Sequence, residues 1–202
     1  MRGTANERLH EALRSATRTH HERLERRLGL VDPNLGLPRY LQLLIALHGF
    51  YAPLEARLRS LPGWDEVGLD IGARCRKHEL LRDDLAALGV SRGEVSVLPR
   101  CRRLPSPVAA PEAMGCLYVL EGATLGGRVI ARHLSSSLGL APERGASFFA
   151  GYGAATDGRW RDFLLRLEPV AEGEGRRRRV LELAAETFDN LELWLERRGL
   201  FS

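Results

Sequence analysis

The chain has 202 residues, 44% of them apolar and 28% charged, with a formal net charge of +4. That balance excludes a disordered or fibrous polypeptide and fits one globular core of ordinary size. No apolar run approaches the roughly 20 residues needed to cross a bilayer, and the charged opening MRGTANERLHEALRS lacks the apolar centre of a signal peptide, so no membrane association and a cytoplasmic location are expected. The three cysteines, Cys75, Cys101 and Cys116, are far apart and form no CxxC pair, which argues against a disulfide framework or a cysteine zinc site.

Helical periodicity dominates from end to end, and no stretch alternates strictly enough to read as a strand. Leu9, Leu13, Ala16, Leu24 and Leu28 give a first amphipathic helix that Gly29 ends. Pro38 opens a second, which Pro53 is expected to break or kink near Ala52. A third spans roughly 72–88 and stops at Gly89, and the four prolines of SRGEVSVLPRCRRLPSPVAAP then mark the longest loop. Pro111 begins a long apolar helix that lasts to about Leu138. PERGASFFAGYG reads as a short helix closed by glycines, DGRWRDFLLRLEPV as a medium one, and residues 176–198 as a long C-terminal one. The chain is therefore expected to be all-α, a compact single domain over residues 1–202 built from about seven or eight helices. The run RRRR at 176–179 is surrounded by Glu168, Glu172, Glu174 and Glu182 and has no interleaved aromatic residues. It reads as a solvated helix start, and nucleic acid is not an expected partner.

Two stretches stand out chemically. In EGATLGG, residues 121–127, a helix gives up three of seven positions to glycine, each costing about 1 kcal/mol against alanine. Gly122 and Gly126 share a face, so something must approach it closely, either another helix or a flat ligand. The first helix carries His20 and His21. The apolar stripe favours His20, but only His21 has a carboxylate one turn on, Glu25, able to hold the Nδ1 proton and aim the Nε2 lone pair outward. Arg14, seven residues before His21, shares its azimuth and could pair with ligand carboxylates. The one Glu-x-x-His spacing, Glu7/His10, is too little for a di-iron bundle, which needs two such units. His48 beside its aromatic neighbours reads as a core residue, and Phe148, Phe188 and Trp194 could line a pocket or simply fill the core.

LRSATRTHHERLE (13–25) and LYVLEGATLGGRVI (117–130), with weaker similarity in LHGFYAPLE (47–55) and LLRDDLAALG (80–89), together resemble the haem oxygenases, in particular the short bacterial ones that make biliverdin. The resemblance implies a haem-oxygenase-like helical fold with haem as both substrate and cofactor. His21 would be the axial iron ligand and Glu25 its partner. Gly122, Gly126 and Gly127 would lie over the distal face, and Arg14 and Tyr118 would contact the propionates. It also implies O2 as co-substrate, an external electron donor such as a reductase or ferredoxin, and delivery of biliverdin to a photoreceptor as one possible fate. Many members carry an aspartate directly after the first distal glycine, where this chain has Ala123, so the water network on that face must be held by other groups. A neutral axial imidazole donates less than a thiolate, and EGATLGG carries no acid, histidine or arginine at Gly122 or Gly126, both of which suit oxidation of the ring itself. The alternative from another class is a haem carrier or sensor on the same fold without turnover.

Overall fold

A computed structural model describes residues 8–201, all helix and connection with no strand among them. The long helices are α1 (Leu9–Leu28), α2 (Leu37–Arg59), α5 (Lys77–Ala87), α7 (Ala110–Leu138), α9 (Thr156–Leu167) and α10 (Glu174–Arg197). Short turns α3 (Trp64–Val67), α4 (Ile71–Arg74), α6 (Arg92–Ser96) and α8 (Ser147–Ala150) link them. No helix among the described residues is long and apolar enough to cross a membrane.

α7 and α10 form the central pair. A Cβ on Gly115 would overlap the Val180 carbonyl, so glycine there sets how closely α7 approaches α10. α1 and α2 pack on α10, α5 packs on α2, and α9 leans on α7. The core enclosed between them includes Tyr40, Phe50, Met114 and Phe163. α1 ends at Gly29 and α7 at Gly139, both in the left-handed region with φ of 58° and 65°, as the glycine stops predict.

Pro53 does not break α2, which runs unbroken to Arg59. Proline cannot donate to the carbonyl four residues back, that of Gly49. That oxygen instead accepts from the Cys101 N–H of the long loop at 2.8 Å. The lost bond is replaced by a tertiary one, and the bare Cα of Gly49 lets the Pro99 carbonyl and the Trp194 indole close over it.

The expected third helix is also divided, into α4 and α5, with the break at Cys75 and Arg76. Arg76 offers α5 no side-chain cap. The carboxylate of Glu55, fully buried on α2, accepts from the Lys77 and His78 N–H groups at 2.9 and 3.0 Å instead. The same device recurs twice. Glu168 receives the Leu9 and His10 N–H groups at the start of α1, and Asp84 those of Ser147 and Phe148 at the start of α8. Orphan donors at three helix starts are thus satisfied by carboxylates remote in sequence. The long loop contributes α6, opened by a capping box between Ser91 and Glu94.

Candidate functional site

α1 and α7 meet at two places. Tyr118 lies beside Thr17 near the start of the shared span, and the His133 ring lies 3.0 Å from the Asp32 carbonyl just beyond the end of α1. Between these two contacts run residues 18–31 and 119–132, and we take these two segments as the sides of a candidate groove. Thr17, His21, Leu24 and Leu28 fall on one stripe of α1, while Tyr118, Gly122, Leu125 and Val129 fall on one stripe of α7. Leu125 and Val129 are large apolar side chains left 41% and 61% exposed on that stripe.

The two histidines separate. His20 turns toward α10, with Nε2 3.3 Å from Asp189 Oδ1 and a buried Nδ1 that has no partner. His21 is half exposed, and its Nδ1 lies 3.4 Å from Glu25 Oε2. Its Nε2 has no hydrogen-bond partner among the described residues. Both rings rest against Phe188, with centroids 6.1 and 6.2 Å away. The two differ in their partners: His20 turns Nε2 to Asp189 of α10, while His21 is paired only through Nδ1 with Glu25.

The glycines separate as well. A Cβ on Gly126 would meet nothing within 4 Å, and one on Gly122 would touch only the Trp160 ring edge at 3.9 Å. Gly127 is different, because a Cβ there would overlap the Phe149 carbonyl oxygen. The packing of α8 on α7 therefore gives Gly127 a structural reason of its own, beside the distal-face role expected of it with Gly122 and Gly126. Ala123 is exposed, about 100° round the helix from Gly122. α7 itself stays helical through the whole run.

At the Tyr118 end stand Arg14, exposed on α1, and an aromatic wall of Tyr118, Trp160 and Phe163 with centroids 5.4 to 6.5 Å apart. Burial pushes the Tyr118 phenol above its ordinary pKa, while the Thr17 contact and the nearby Arg14 charge pull it back. Arg14 and Tyr118 therefore stand close together at the same end of the groove. Of the other aromatic candidates, Trp194 donates to the Ala46 carbonyl at 2.7 Å and Phe148 packs on Tyr51, both away from it. Glu7 lies outside the described residues, so the Glu7/His10 spacing has no structural counterpart. Among the described residues no group of three His, Cys, Asp or Glu side chains could hold a metal ion.

Behind the glycine run lies a cluster that periodicity did not reveal. Glu121, 1% exposed, accepts from Arg74 Nη1 at 2.7 Å, Lys77 Nζ at 3.1 Å and the Tyr152 hydroxyl at 2.7 Å. Arg74 also reaches Asp162 at 2.7 Å. Burial lowers the Lys77 pKa, but Glu121 together with Tyr152, Tyr51 and Glu55 outweighs it, and the ammonium is held above its ordinary range. The signal was present in outline, since a glutamate inside the apolar run LYVLEG and the chain's one lysine each need a partner if buried.

The sequence matches the Heme oxygenase family over residues 7–197. No curated protein matches it. Among solved structures it is similar to the NO- and CO-bound heme oxygenase of Neisseria meningitidis, with 18% identity over 98% of this chain and 94% of that one and a TM-score of 0.77. It is also similar to heme oxygenase from Leptospira interrogans, with 17% identity over 94% and 100% and a TM-score of 0.71.

Proposed function

Because this chain belongs to the haem oxygenase family, we propose that it cleaves haem oxidatively to biliverdin, carbon monoxide and ferrous iron, using O2 and electrons from an external reductase or ferredoxin. The observation that supports this reading is an imidazole nitrogen on α1 without a partner, together with open space at the Cβ position of Gly126 on α7. A planar group held between them would find apolar contact on the exposed Leu125 and Val129. When bound, haem supplies the iron that activates O2 and the ring carbon that is oxidised.

His21 Nε2 binds the iron, and Glu25 keeps the Nδ1 proton in place and the ring oriented. Gly126, with Gly122 beside Trp160, leaves room on the opposite face and presents no acid there. Ala123 offers no carboxylate, so ordering water on that side falls to the backbone carbonyls of the glycine run. Arg14 and Tyr118 seat the propionates at one end of the groove, where a guanidinium pairs with a carboxylate through two N–H donors. The unit of activity is a single cytoplasmic domain, and its biliverdin can serve a photoreceptor or be a by-product of iron release.

Hemin titration followed by ascorbate in air, with catalase present, tests the reading. A Soret band that gives way to biliverdin absorption is expected. A stable Soret band would mean a carrier or sensor, and no Soret band would sink both. His21→Ala should abolish the histidine-ligated spectrum while His20→Ala retains it, and the reverse outcome would assign the iron to His20.

A further inference from the structure

A second site lies across α10 from the groove. The long loop is pinned to α2 by the Cys101 N–H on the Gly49 carbonyl, and the Cys101 thiol donates to the Arg103 carbonyl at 3.1 Å. This fixed turn presents Arg100, Arg102 and Arg103 beside Arg197 of α10 around a cavity of about 260 Å³, with Leu193 and Trp194 as its apolar wall. Arg100 Nη1 lies 3.4 Å from His48 Nδ1, and burial together with the Arg100 charge pushes His48 down to about 4. His48 is therefore neutral at pH 7 and adds no charge of its own. None of the four guanidinium groups forms an ion pair among the described residues. In the cavity wall, Asn190 is 3% exposed, and its Nδ2 has no hydrogen-bond partner.

Four guanidinium groups without an ion pair around one small cavity are complemented best by a compact anion of high charge. We propose that this cavity binds a polyphosphate group carried by a small molecule, with the guanidinium groups taking the phosphate oxygens. Paired N–H donors match the spacing of phosphate oxygens. A triphosphate carries enough negative charge to balance the four arginines and a diphosphate most of it, which a single carboxylate does not. The apolar wall leaves space for an attached ring. The site shares no residue with the groove and does not depend on the haem reading.

Titration calorimetry of the full chain at fixed ionic strength tests it with sodium pyrophosphate and ATP as probes, and with adenosine, sodium chloride, a short DNA duplex and a poly-glutamate peptide as comparisons. Pyrophosphate and ATP should both bind, and adenosine and chloride should not. Arg102→Glu and Arg197→Glu, both at exposed positions, should each weaken binding at least about tenfold while hemin titration of the same variants is unchanged. Absence of pyrophosphate binding overturns the proposal, as does binding that both variants retain. DNA or poly-glutamate binding more tightly than pyrophosphate overturns it in favour of a macromolecular partner.

Discussion

Adjacent glycines on α7 should respond with opposite signs to the same substitution. At Gly126 an added methyl meets nothing within 4 Å, so Gly126→Ala should gain helix propensity, up to about 1 kcal/mol. At Gly127 the methyl overlaps the Phe149 carbonyl oxygen and comes within 3.2 Å of its carbon. Backbone cannot swing aside as a side chain can, so α8 must shift, and overpacking of this kind costs about 1–3 kcal/mol. The propensity gain is common to both positions, so the two variants should differ by the overpacking cost of roughly 1–3 kcal/mol, which for a chain of this size separates their melting temperatures by roughly 2–12 °C. Thermal and urea denaturation of the hemin-free protein measures this directly. If Gly127→Ala is as stable as Gly126→Ala, the α7–α8 contact is wrong. Gly126→Leu then isolates function from stability. It should keep the fold but lower hemin affinity and biliverdin yield, and undiminished turnover would remove Gly126 from the site.

Arg14→Glu should weaken hemin binding by about tenfold, the low end for a charge-assisted contact because Arg14 is exposed, or give a mixture of biliverdin isomers on chromatography. Reversal at Arg177, in the first turns of α10, should do less. Glu121→Ala strands Arg74 and Lys77 in the interior and should cost about 3–5 kcal/mol by urea midpoint; a loss under about 1 kcal/mol would show the cluster to be hydrated. Stability should fall as pH drops from about 6.5 to about 4. The depressed His48 pKa means that the unfolded chain takes up that proton first. The effect is up to about 3 kcal/mol, and His48→Gln should flatten the urea midpoint across that window.

What could be read from the chain alone was whatever is written locally. Gly29 and Gly139 stop their helices at the expected places because a left-handed cap needs nothing beyond the residue itself. The division of the third helix was hidden because the group that starts α5 is Glu55, 22 residues earlier and on another helix. The His21–Glu25 spacing was visible because it is a helical repeat, and the distinction between His20 and His21 required Asp189 of α10. Gly127 looked like its neighbours in EGATLGG. Only the position of Phe149 separates it from them, and no periodicity within α7 encodes where α8 lies.

Pro53 has a consequence for what the loop after α6 can tolerate. Surface connections ordinarily absorb insertions at little cost, since lengthening a flexible loop changes its closure entropy only slowly. Here the interior of α2 has surrendered a carbonyl to the loop, and the Pro99 carbonyl sits directly over Gly49. The segment 99–101 therefore behaves as part of the helix packing, and one added residue there would leave the Gly49 oxygen buried without a donor, since Pro53 can never return to claim it. Length variation should be confined to the stretches before Leu98 and after Arg103, with the arginine turn held in constant register against α2.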